Sequence, residues 1–114
     1  MAPFQLDLET AVDRMGSREL FVEVAKSFID ALPGTEQKIA EAIDAGTWQD
    51  ARRLAHSLKS NCAAMGAEKL REKVYILEKA CAGEDETSAA ALFSVIREEL
   101  RFLREKLLPL IQNP

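Results

Sequence analysis

The chain has 114 residues, 47% of them hydrophobic and 30% charged, which suits one domain with its own core and is too short for two. Its net charge of -4 argues against nucleic acid as the main partner, and no apolar run is long enough to span a membrane. Met1-Ala2-Pro3-Phe4 lacks the basic and apolar pattern of a secretory leader, so a cytoplasmic location is expected.

Helix formers recur throughout, and no segment alternates polar with β-branched residues. The first helix is short, from Leu8 to Met15, with Asp7 as its cap and Gly16 as its stop. Ser17 caps the next. Behind it, Leu20, Phe21, Val24, Ala25, Phe28 and Leu32 keep helical spacing. Pro33-Gly34 then either ends the helix or bends it. The phase favours a bend, because Phe28 to Ile39 and Leu32 to Ile43 are both steps of eleven residues, or three turns. One long helix kinked at Pro33 is therefore expected from Arg18 to Ala45.

Gly46 ends that helix, and Thr47 with Asp50 resembles a capping box for the third. Its apolar stripe is Trp48, Ala51, Ala55, Leu58, Cys62 and Met65, and Gly66 is the left-handed structural turn that stops it. A fourth helix runs from Ala67 to Ala82, with Leu70, Val74, Leu77 and Cys81 inward and Gly83 as its stop. The acidic stretch from Glu84 to Ser88 leads into a last helix from Thr87 to Leu110, with Pro109 in its final turn. Short links favour antiparallel neighbours. The expected fold is all-α: an up-and-down antiparallel four-helix bundle with a short additional N-terminal helix, one domain over residues 1–114 with a bundle core at about 17–110.

Cys62 and Cys81 both fall on inward faces and read as buried free thiols. A hairpin turning at Gly66 separates them by roughly 16 Å along the axis. A disulfide needs Cα atoms within about 7 Å.

His56 is the only histidine and lies off the apolar stripe. Arg52, Lys59, Ser60 and Ala63 share its face, with Arg53 close by, and no acid occurs from Ala51 to Ala67. An imidazole is nucleophilic near neutral pH and can take a phosphoryl group on nitrogen. Lys59 one turn onward and Arg52 one turn back can reach the oxygens of that group. The small residues Ser60 and Ala63 leave room for an approaching protein, and the lack of acids removes repulsion toward an acidic pocket. A solvated basic face is the plainer reading of the same residues. A Ser-His-Asp arrangement is poorly supported, because no local acid orients the ring. One histidine and two buried cysteines do not complete a metal site.

The run Ala55-His56-Ser57-Leu58-Lys59-Ser60-Asn61-Cys62-Ala63-Ala64-Met65-Gly66-Ala67, followed by Leu70, resembles the histidine-containing phosphotransfer (HPt) domain family. His56, Leu58, Lys59, Gly66, Ala67 and Leu70 carry the match. Leu77-Glu78 and the Gly46-Thr47-Trp48 turn also fit, and the resemblance extends from about Leu6 to Leu108. It implies a phosphorelay intermediate that takes a phosphoryl group from one receiver aspartate onto His56 and passes it to another, with Lys59 steadying the phosphate. It also implies no kinase activity and no cofactor on this chain, the magnesium being in the partner receiver. Expected partners are response-regulator receivers and a hybrid histidine kinase, the chain itself being monomeric. The start at Met1 favours a separate protein over a piece of such a kinase. The family usually has glycine where this chain has Ser60, whose hydroxyl can bond the imidazole or phosphate or can crowd docking. The alternative is a docking module that binds a receiver or kinase through residues 52–63 without relaying phosphate. Leu54 and Ala63 are candidates for the apolar part of either interface.

Overall fold

The computed structural model describes residues 6–112, so residues 1–4, on which the leader was judged, lie outside the described part. Five helices follow in order: α1 (Leu8–Met15), α2 (Arg18–Ala45), α3 (Trp48–Ala64), α4 (Glu68–Ala82) and α5 (Glu86–Gln112). No strand occurs among the described residues. Helices α2 to α5 form an antiparallel bundle in which α2 packs on α3 and α5, and α4 packs on the same two helices. Helix α1 lies against α2.

The inner stripes meet as expected. Phe21, Ile39, Leu58, Leu70, Leu77, Ile96, Leu100, Leu103 and Leu107 are among the fully buried side chains, and burying each is worth about 1.5–3 kcal/mol relative to leaving it exposed. Helix α2 runs unbroken through Pro33, which is exposed. The ring removes the N–H that the Ile29 carbonyl would bind, yet Leu32, Ile39 and Ile43 stay on one buried face. Pro109 sits in the last turn of α5, three residues before its end. Cys62 and Cys81 are buried and free, and burial pushes the Cys62 thiol up to about 12.

One helix start differs from expectation. Thr47 makes no side-chain cap for α3. Its N–H and its hydroxyl both donate to the Ala42 carbonyl, at 3.0 and 3.3 Å. The tight α2–α3 turn thus directs both donors of Thr47 backward to close α2, and Asp50 pairs with Arg53 at 3.5 Å instead of completing a capping box. Gly83 stops α4 as expected, at φ -86, and the next residue, Glu84, takes the left-handed conformation at φ +54. Asp85 then caps α5 by accepting from the Ser88 N–H at 3.1 Å.

Gly66 sits at φ +81 between α3 and α4. Its carbonyl accepts the Asp7 N–H at 2.9 Å, so the chain entering α1 is strapped across this turn. A Cβ on Gly66 would stand 2.4 Å from the Asp7 carbonyl oxygen. Gly16 has φ +102 and open space around it. Gly66→Ala is expected to cost well over 2 kcal/mol, and Gly16→Ala only the left-handed penalty of about 1–2 kcal/mol. Equal losses in urea unfolding would contradict the clash. Glu84→Gly is expected to raise stability by up to about 1 kcal/mol by relieving the left-handed side chain, seen as a higher urea midpoint at unchanged slope.

Candidate functional site

Helix α3 buries Ala51, Ala55, Leu58 and Cys62, so the intervening positions stand at its edge or in solvent. The His56 side chain is 61% exposed, and that of Lys59 only 18%. Arg52, Arg53 and Ser60 are exposed, and Leu54 and Ala63 are half-buried. Leu54 lies in a groove with Lys38 and Ala42 of α2, on the flank of α3 that packs on α2. His56 and Lys59 reach α4 instead, through Glu78.

Glu78 is the residue that local reading missed. Its Oε2 is 2.8 Å from the His56 Nδ1, and its Oε1 accepts a hydrogen bond from the Lys59 Nζ at 2.8 Å. The imidazole therefore does have an orienting acid, and its surroundings are not simply basic. The carboxylate is 22 positions away in sequence and comes from the facing helix, out of reach of any scan along α3. The match of Leu77-Glu78 to the family pattern was the available signal. Burial pushes the Glu78 carboxyl upward, but the hydrogen bonds and positive charges of Lys59 and His56 outweigh it and hold it below the ordinary glutamate value.

An ionised carboxylate only accepts, so the hydrogen bond places a proton on Nδ1. In the neutral ring, Nε2 then carries the free lone pair. Ser60 does not touch the imidazole: its hydroxyl donates to the His56 backbone carbonyl at 3.4 Å. Arg53 is paired with Asp50. Tyr75, 43% exposed on α4, has the ammonium groups of Lys59 and Lys79 at 4.9 and 5.1 Å from its ring centroid.

Another groove lies between α2 and α5, lined by Leu32, Ala40, Phe93 and Arg97. The Arg97 Nε already donates to Glu36 there at 3.2 Å. Among the described residues no three His, Cys, Asp or Glu side chains gather as metal ligands, and no helix is long and apolar enough to cross a membrane.

His56 is thus exposed at mid-helix in a four-helix bundle, held by a carboxylate of the next helix beside a lysine. The family model described as Hpt domain matches residues 23–106, most of the chain, and the chain belongs to that family. Domains of this kind act in phosphorelays with receiver and histidine-kinase domains. Neither the curated proteins nor the solved structures gave a match.

Because its carboxyl is depressed in the fold, Glu78 contributes stability above its unfolded-state pKa and loses it as pH falls through the folded one. A carbon-13 titration is expected to place Glu78 below the average glutamate midpoint of about 4.3. Lys59→Ala should move it upward. A Glu78 midpoint at or above that average would contradict the geometry.

Proposed function

We propose that this chain is a phosphorelay intermediate with His56 as its phosphoacceptor. The single observation that carries the reading is the solvent-exposed imidazole fixed at Nδ1 by Glu78, which leaves Nε2 as the nucleophile. The Nε2 lone pair attacks the phosphorus of a receiver's aspartyl phosphate. An N–P bond forms, the acyl P–O bond breaks, and the aspartate leaves as a carboxylate. No proton has to move, because Nδ1 already holds the ring proton. The positive charge that develops on the ring is balanced by Glu78. Transfer to a second receiver reverses these steps.

Lys59 has three N–H donors. One bonds Glu78, and the others are available to phosphoryl oxygens, whose charge they offset. Arg52, one turn back on α3, assists it. Ser60 and Ala63, being small, leave the approach to the ring open, and Arg53 belongs to the surrounding docking surface. The receiver supplies the magnesium, and no cofactor or kinase activity is assigned to this chain. The partners are response-regulator receivers, one of them carried by a hybrid kinase, and the chain works as a monomeric single domain in the cytoplasm.

Incubation with a phosphorylated receiver is expected to label the chain with acid-labile, base-stable phosphate. Phosphorus–nitrogen NMR should place the phosphate on Nε2 of His56. His56→Gln should abolish labelling with an unchanged helical circular-dichroism spectrum. Lys59→Ala should slow transfer roughly tenfold or more. Ser60→Gly should alter the rate and not the acceptor. Tight receiver binding without any phosphate on His56 would overturn the relay and leave a non-relaying docking module.

A further inference from the structure

Of the large apolar side chains left exposed among the described residues, Tyr75 alone adjoins the His56 site. Leu20 and Val95 are on α2 and α5, and Ile76 points round the helix from its neighbour. Tyr75 shares Lys59 with that site, since the same ammonium group bonds Glu78 and stands at the tyrosine ring. A second ammonium, from Lys79, stands at the ring as well. Two cations at one ring hold it in place while it remains 43% exposed. A side chain with few rotatable bonds, already held, loses little freedom when a partner covers it.

The charge left over on this seam is positive. Glu78 is engaged by Lys59 and His56, and Arg71 is engaged by Glu68. Arg52 and Lys79 have no carboxylate within ion-pair distance among the described residues. An exposed aromatic thus has one uncompensated cation, Lys79, at its ring and a second, Arg52, one turn from His56 on α3, and it adjoins a group that has to meet an acidic phosphoaspartate pocket. Aromatic anchors with charged rims are where interface energy concentrates, and the charge is complementary to an acidic partner face.

We infer that the α3–α4 seam extends the site into a docking surface, with Tyr75 as its aromatic anchor and Lys79 and Arg52 as rim cations, for the acidic face around a receiver's phosphorylated aspartate. The inference rests on the relay reading above. A symmetric dimer through this seam lacks the complementary charge, because both faces would be cationic.

The test is transfer kinetics on the full chain, with a phosphorylated receiver domain from the same organism as donor and phosphoramidate as a small donor that needs no docking. Tyr75→Ala is expected to lower kcat/KM for the receiver about tenfold through KM, while Tyr75→Phe retains it. Lys79→Glu is expected to lower it with a weaker dependence on salt. Val95→Ala, equally a truncation of an exposed apolar residue but on α5, should change nothing. Phosphoramidate labelling of His56 should be the same in all four. Receiver kinetics unaffected by both Tyr75→Ala and Lys79→Glu would overturn the inference. So would an equal fall in phosphoramidate labelling, which would mean that Tyr75 acts on His56 through Lys59 and not on the partner. If the unaltered chain takes phosphate from phosphoramidate but from no receiver, the relay reading fails. Titration of receiver binding with the same variants then still decides whether this seam is the contact surface, and equal affinities of all variants would refute it.

Discussion

The carboxylate of Glu78 is the interaction on which the site depends. It joins two side chains of α3 to one position on α4, and without it the imidazole would be a freely turning group on a helix surface. An isolated exposed ion pair contributes little. This one is different in kind, because the acid is largely shielded and two donors from the facing helix converge on it. Its use is orientation more than stability: it decides which ring nitrogen holds the proton and which keeps the free lone pair.

That contact requires a particular register between α3 and α4, and the register is set at Gly66. The left-handed turn reverses the chain within a few residues, with the Ala67 N–H donating back to the Cys62 carbonyl at 3.0 Å. From there the buried stripes of Leu58 and Cys62 on one helix and Leu70, Val74 and Leu77 on the other fix the rotation. Backbone conformation, apolar phase and a polar contact all specify the same alignment, which is the consistency expected of a foldable sequence.

Much of this was readable in advance because it is written in local spacing. The apolar steps that cross Pro33 announced a continuous α2, and Asp7 and Ser17 announced the starts of α1 and α2, where each side chain accepts a backbone N–H. What escaped depended on neighbours that local spacing does not reveal. Thr47 looked like a cap until the shortness of the α2–α3 turn gave its donors to Ala42. Gly83 was legible as the end of α4, but nothing local marked Glu84 as the left-handed residue after it. Glu78 escaped for the same reason on a larger scale: a basic run along α3 gives no hint of the acid supplied by the helix that packs against it.

One more consequence follows from the flank of α4 that faces away from His56. Lys73, on that flank, is ion-paired with Glu99, a buried glutamate of α5. Helix α4 is therefore tied by charge to both of its neighbours. Sliding it by one helical turn, about 5.4 Å, would separate Lys73 from Glu99 and Glu78 from His56 and Lys59 together. Apolar stripes resist rotation of a helix far better than they resist a slide that preserves their phase. The pair on the α5 side thus sets the height at which the Glu78 carboxylate meets the imidazole, even though neither of its members comes near the ring.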